Sequence, residues 1–418
     1  MRRSAVAAVT GLLVLAGLQP ASAATTPSQV GLVSFVGANY SRTSDTGSLS
    51  LDWPDARAAR YYQVFMSRSY SMSSAKTFAV KSSRITVSGL SRGRDYFFQV
   101  RGVNGSKHGT KSQRVGRTTI VRPGPTSATP LRVMTYNVCS AVCDEKQTTR
   151  YPWTPTGPDS PPARQPRALE RIAAASPDVL ATQEAGELVT APPGYTEAIN
   201  VSAKRLYFKT SRFALADAPR YAYGTKDKNG CRASTAFDAQ TGHIFLGRHS
   251  QGCRYAVWAD LVDKASGKRF LVVDVHTVAG TSDGAVANRL IEMNVLMAAV
   301  KQINNRETPL PVVFAGDFNS HKNRDDDVVG TVMNRNGFRD AYDLARTVER
   351  QHLNSYNDFR TAPVISYKWG DHVDHVYVSP WTSRVDAWRN IVLIGSDGRL
   401  VKPIPSDHSP IVVDVRIG

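Results

Sequence analysis

Beyond its N-terminal segment the sequence has no apolar run approaching the length that crosses a bilayer, which argues against stable membrane insertion. It has no internal repeat beyond general strand–turn alternation. It also lacks a heptad pattern long enough to force an oligomer, so a monomer is expected. Acids are scarce, with 35 Asp and Glu against 52 Lys and Arg and a formal net charge of +17. That imbalance disfavours cationic partners and suits nucleic acid, anionic lipid or acidic cell wall. Cysteine is sparse, with four in 418 residues. Apolar residues are not scarce. At 41% they fill real cores and exclude global disorder, and the length points to two or three domains.

Arg2 and Arg3 open the chain, Ala5 to Leu18 is apolar, and "ASA" at Ala21–Ala23 offers small residues where a signal peptidase reads. Residues 1–23 therefore read as a signal peptide, and the mature protein as secreted, extracellular and soluble. Removing two arginines leaves a net charge of 17 − 2 = +15. In an oxidising compartment cysteines pair. Four allow three connectivities, of which Cys139–Cys143 (framing "CSAVC") and Cys231–Cys253 (bracketing a hairpin) are expected. Zinc thiolates are the weaker reading there.

From about Val30 to Thr119 every segment reads as strand. "GSLSLDWPDA", "YYQVFMSRS", "SRITVSGL" and "RDYFFQVRGVNG" alternate apolar and polar residues between Gly and Ser turns. Trp53 falls where a sandwich buries one large ring, and Leu90 and Tyr96 where a corner tyrosine ties a loop to its strand. Residues 27–120 resemble a fibronectin type III domain, an all-β sandwich. The resemblance implies a spacer or a module binding a surface or polysaccharide, without catalysis.

"VRPGPTSATP" makes residues 121–130 a linker. From 131 to 418 the pattern is mixed. "LRVMTYNV", "DVLATQEA", "YAVWADLV", "RFLVVDVHT", "PVVFAGDFNS", "HVDHVYVS" and "PIVVDVRI" read as strands, and "ARQPRALERIAAASP" as a helix stopped by Pro177. Val286, Leu290, Met293, Met297 and Val300 mark one face of a second helix.

Polar groups recur at the strand ends: Asn137, Glu184, His276, Asp317, Asn319, Asp374, Asp407 and His408. Burying each without a partner would cost roughly 1–3 kcal/mol. Such groups must reach a rim, pair with one another, or bind an ion. Taken singly, each has a bland alternative. Asn137 would cap a turn, Glu184 and Arg254 would form a surface pair, and Asp407 would cap a short turn before Pro410. His375 falls on the opposite strand face from Asp374, and "RDDD" at 324–327 reads as acids opening a helix.

In order, "TYNV", "ATQEAGE", "VDVHT", "GDFNS", "DHVDHVYVS" and "SDHSPIVVDV" resemble the endonuclease/exonuclease/phosphatase superfamily that includes deoxyribonuclease I. The resemblance implies an α/β four-layer sandwich over 131–418. It implies that Glu184, with Asn137 and Asp407, holds a divalent metal, Mg²⁺ with Mn²⁺ or Ca²⁺ as alternatives. His408, oriented by Asp374, would activate the attacking water. His276 would act on a phosphate oxygen or the leaving group, Asp317 and Asn319 would orient water and phosphate, and Arg254 would contact phosphate. One departure stands out. Where deoxyribonuclease I has a carboxylate pairing with the histidine matching His276, "VSAKRLYFK" carries Lys204 and Arg205.

The resulting expectation is a secreted metal-dependent nuclease acting on DNA, with RNA left open as a further substrate. Lys204, Arg205, Lys209, Arg212 and Lys322 lie near candidate substrate-facing loops, and dispersed positive charge suits a phosphate polymer. One alternative is a sphingomyelinase-type phospholipid phosphodiesterase or another phosphomonoesterase on the same fold. The lipid variant needs an exposed apolar element, for which Trp381 and Trp388 are candidates. A second alternative is a non-catalytic surface-binding protein.

Overall fold

The computed structural model describes residues 24–125, 128–145, 150–157, 160–186, 191–217, 225–250 and 252–418. The expected signal peptide lies outside the described residues.

Period-two alternation at the N-terminus folds into two facing sheets. One runs in the order Ser34–Ser41, Thr46–Asp52, Arg84–Ser91. The other runs Lys76–Val80, Tyr61–Ser67, Asp95–Asn104, Lys107–His108, with Val115–Thr118 also on Asp95–Asn104. Trp53 is buried edge-on against Tyr62, with centroids 5.5 Å apart. The Tyr96 hydroxyl accepts from Ser91 N at 2.9 Å, so the tyrosine does tie the turn to its strand.

The remainder stacks two sheets face to face. The first orders Tyr195–Val201, Lys204–Lys209, Val179–Gln183, Thr129–Asn137, Ile411–Ile417, Ser383–Asn390 and Thr347–Glu349. The second orders Phe213–Leu215, Gly252–Asp263, Arg269–His276, Val312–Asp317, Asp374–Val378 and Arg339–Asp340, with Thr241–His249 on Gly252–Asp263. Alternation along each strand decides which layer a side chain joins. Val133 and Val313 pack between the sheets, Met134 against the Gln165–Ala175 helix, and Phe314 against the Asp283–Ile303 helix. The result is helix, sheet, sheet, helix.

The long helix departs from the expected face. Met293, Met297 and Val300 are buried, but Leu290 is exposed, and Arg289 and Glu292 are buried instead. Their partners explain it. Arg289 Nη1 donates to Val278 O and Gly280 O, while Glu292 Oε2 accepts from Val278 N at 2.9 Å. The helix thus spends two core positions on holding the loop that follows His276.

The linker and spacer expectations also change. Thr129 already belongs to a strand pairing with Ile417, and Gly124 packs against Ser383 and Arg384 so closely that a Cβ would sit 2.8 Å from both. The sandwich is docked rather than tethered. Ala38 N donates to Arg346 O at 2.7 Å, Arg117 Nη2 to Ala345 O at 2.7 Å, and Gly116 N to Lys368 O at 2.9 Å. One apolar cluster runs from the N-terminal sandwich into the space between the two larger sheets.

His375 points away from Asp374 as its strand position requires. Its Nδ1 lies 2.7 Å from Asp340 Oδ2 and its Nε2 2.9 Å from Ser320 O. Burial opposes the imidazolium, but the Asp340 charge and hydrogen bonds outweigh it and push the pKa up to about 9. The same pairing holds Asp340 below its ordinary value against burial. His375 therefore stabilises the fold fully below its unfolded pKa near 6.5, and that contribution fades as pH rises through about 9. Replacing His375 by Ala should cost about 3 kcal/mol in urea unfolding at neutral pH. The gap between variant and wild type should narrow on the alkaline side.

Candidate active site

Strand register builds the site's central row. His276 sits opposite Asp317, and Asp317 opposite Asp374, across three neighbouring strands of the second sheet. In the facing sheet Asn137 sits opposite Gln183, with Glu184 next in sequence. Toward this end the inter-sheet space turns polar. Gln183 Nε2 donates to Asp274 Oδ1 at 2.7 Å across the sheets, and Asn137 Nδ2 donates to Asp317 Oδ2 at 3.1 Å and to Glu184 Oε1 at 3.3 Å.

His408 arrives from the segment before the Ile411–Ile417 strand. Its Nδ1 is 2.8 Å from Asp374 Oδ2, and its Nε2 is 3.7 Å from Asp317 Oδ2. Burial would lower its pKa, yet the Asp374 and Asp317 charges reverse that and raise it well above the ordinary imidazole value. Asp317 is itself pushed up, chiefly by burial, against the pull of the His408 charge. His276 Nε2 stands 3.6 Å from Asp317 Oδ2 and 3.9 Å from Glu184 Oε1. Both distances are longer than a hydrogen bond and within ion-pair range for a protonated imidazole. Asn319, at φ 49°, donates its N–H to Asp317 Oδ1 and its Nδ2 to Thr277 O. Glu184 adopts φ 50°, an uncommon conformation for a glutamate and one that tends to persist at functional sites.

The residues expected to hold a metal meet a physical test. Glu184 Oε2 is buried without a hydrogen-bond partner among the described residues. Asp407 is raised first by burial and further by the nearby Glu184 charge, a repulsion that a cation would relieve. Asn137 presents Nδ2 to the carboxylates while its Oδ1 accepts from Cys139 N. Ligation through its oxygen requires that amide to turn over. A second acidic group, Asp317, Asp374 and His408, brings ligand atoms within 4.8 Å of one another.

A cleft of about 660 Å³ opens beside these groups, lined by Glu184, Lys204, Arg254 and His276. Both expected disulfides are present: Cys139–Cys143 closes the loop after Asn137, and Cys231–Cys253 ends next to Arg254. The other basic residues do not face the cleft. Lys322 contacts Asp95 and Asp343 in the seam between domains, Arg212 pairs with Asp178 and Asp263, Arg205 pairs with Glu197, and Lys209 binds Ser176. Each sits near an acid or carbonyl that the sequence order conceals. Lys204 is buried, its Nζ donating to Ser202 O, and burial drives its pKa down to about 8. It shares the cleft with Glu184, so the missing upstream acid leaves His276 facing Glu184 and Asp317 instead.

The sequence model of the endonuclease/exonuclease/phosphatase family matches residues 134–408, spanning every residue of the row. The chain belongs to that family. The family comprises hydrolytic phosphoesterases, generally dependent on a divalent metal. Among solved structures, an endonuclease/exonuclease/phosphatase family protein from Bacteroides thetaiotaomicron matches at 17% identity with TM-score 0.50, over 70% of this chain and 99% of its own. A mannosyl-6-phosphatase of the same organism matches at 18% identity and TM-score 0.49, over 68% and 99%. D. rerio TDP2, solved with a single-stranded DNA product, matches at 18% and 0.44, over 69% and 99%. Among curated protein sequences none matches.

Several supporting residues carried no sequence signal. Arg164 is fully buried, and its guanidinium binds Cys139 O, Ser140 O, Tyr151 O, Pro405 O and Asp144 Oδ1. It joins the disulfide loop after Asn137 to the segment before Asp407. Ser406 adds a second tie, donating from Oγ to Asn137 O at 2.7 Å and accepting from His408 N at 3.0 Å. Replacing Arg164 by Met should leave several buried acceptors unpaired and destabilise the fold by about 3 kcal/mol, measured by chemical denaturation.

Proposed function

We propose that the chain is a secreted, divalent-metal-dependent phosphodiesterase, a nuclease that hydrolyses DNA, with RNA as the further substrate to be tested, acting as a monomer. The observation that carries this reading is the hydrogen-bonded Asp374–His408 pair, with His408 Nε2 3.7 Å from Asp317 Oδ2, itself 3.6 Å from His276 on the wall of a cleft that also offers Glu184, Lys204 and Arg254. The excess positive charge supports a polyanionic substrate, since each phosphate neutralised releases counterions. Neither candidate for lipid entry favours the phospholipid alternative. Trp388 is buried, and exposed Trp381 stacks on Arg122 with 3.7 Å from guanidinium carbon to ring centroid.

Glu184, Asp407 and Asn137 would hold Mg²⁺, with Mn²⁺ or Ca²⁺ as alternatives, since oxygen donors suit a hard cation. When bound, the ion would offset the charge growing on the phosphoryl oxygens. Asp374 accepts Nδ1–H and fixes the tautomer. His408 in its neutral form, which a cation bound nearby would favour against the pull of the acids, then presents Nε2 to take a proton from water. The two acids beside it stabilise the imidazolium that results. Water oxygen bonds to phosphorus, the ester P–O bond breaks, and the leaving oxygen takes a proton from His276 or solvent. Asp317 and Asn319 orient water and phosphate, and Arg254 binds a phosphoryl oxygen. The strand arrangement of the N-terminal sandwich supports its assignment as a fibronectin type III domain, for which we propose a role in binding a surface or polysaccharide.

Incubating the mature protein with plasmid DNA, RNA and sphingomyelin, with Mg²⁺ and then with chelator, tests the substrate. Nucleic-acid cleavage that stops on chelation is expected, and cleavage of lipid alone would overturn the nuclease reading. Glu184→Ala and His408→Ala should each lower kcat about a thousandfold. Arg254→Ala should act mainly on KM, with a shallower dependence on salt.

A further inference from the structure

We infer that the N-terminal sandwich braces the catalytic end of the molecule. It grips residues 350–373, and that segment positions Asp374, Asp407 and His408. The inference rests on the roles given above to those three residues.

Residues 350–373 form a long connection with isolated bridges in place of extended strands. Segments of that length and irregularity fluctuate unless they are tied down. The sandwich supplies three ties. Gly116 N donates to Lys368 O at 2.9 Å, His352 Nε2 lies 3.0 Å from Val33 O, and Phe97 packs on buried Trp369 with centroids 5.3 Å apart. Gly116 is required for that approach. A Cβ there would meet Trp369 Cζ3 at 2.7 Å, Lys368 O at 2.9 Å and Phe97 Cε1 at 2.9 Å.

Inside the segment, bonds carry the restraint onward. Ser366 N donates to His352 O at 2.8 Å and Asn354 N to Val364 O at 2.9 Å. Asp371 accepts from Ser366 Oγ and Asn323 Nδ2 at its carboxylate and donates its N–H to Asn354 Oδ1. The far side holds the site. Ser355 Oγ accepts from Val373 N at 2.9 Å and Asp374 N at 3.2 Å, setting the start of the strand that carries Asp374. Asn357 N donates to Asp407 O at 2.6 Å and Ser409 N to Ser355 O at 2.7 Å. Tyr356 bridges to His408 along the backbone and sets its ring 5.1 Å from the imidazole. His352 and Trp369 are therefore positioning residues, acting on the dyad through the backbone of 353–358.

The test compares full-length Gly116→Val and His352→Phe with Val64→Ala, which opens a cavity in the sandwich core on a strand paired with other sandwich strands. Amide exchange and steady-state kinetics with Mg²⁺ on a nucleic-acid substrate are the two readouts. The seam variants should speed exchange at 353–358 and lower kcat roughly 10- to 100-fold with KM within about twofold, as misplacement of a catalytic group does. Val64→Ala should lower stability without either effect. Equal losses in Val64→Ala, or a loosened seam with unchanged exchange at 353–358, would overturn the inference. Should wild type hydrolyse no phosphoester, the proposed function fails, and the exchange at 353–358 still decides whether the brace exists.

Discussion

The structure depends on how charge is buried between two apolar sheets. Most of the inter-sheet space is aliphatic, and at one end it becomes a row of acids, amides and imidazoles that would be costly to bury singly. They persist because strand register sets them opposite one another, as with His276, Asp317 and Asp374. His408 and Asn137 offset part of the cost of burying Asp317, and the repulsion left between Glu184 and Asp407 is what a cation would remove. Stability and chemistry thus draw on the same groups.

That row needs outside support, because its members come from loops as much as from strands. Arg164 and Ser406 tie the Asn137 loop to the Asp407 segment, and Arg289 and Glu292 hold the turn after His276. Residues 350–373 hold the opposite side and lean on the N-terminal sandwich. Buried cations that satisfy several carbonyls at once are an efficient way to hold irregular backbone, since each loop group gains a partner without a regular ladder.

The positive charge has a less uniform meaning than the sequence suggests. Arg212, Arg205, Lys209 and Lys322 are engaged in structural contacts, and of the five basic residues singled out in sequence only Lys204 lines the cleft, beside Arg254. Part of the excess therefore works inside the fold, and attraction of a polyanion falls to what remains at the surface and in the cleft.

How much was legible beforehand follows from what kind of order each feature needs. Strands, the two helices and the polar strand ends were readable because period two and period 3.6 are local, and motif order carried the family. The buried Arg289 and Glu292 broke the helical pattern because their partners lie in another segment. The docking of the sandwich was invisible for the same reason: Gly116 meets Trp369, and His352 meets Val33, across separations that no periodicity encodes. The sequence by itself determined which side chains could do chemistry and which strand each would end. Tertiary structure decided which of them touch, since contact between distant segments depends on packing and register rather than on composition.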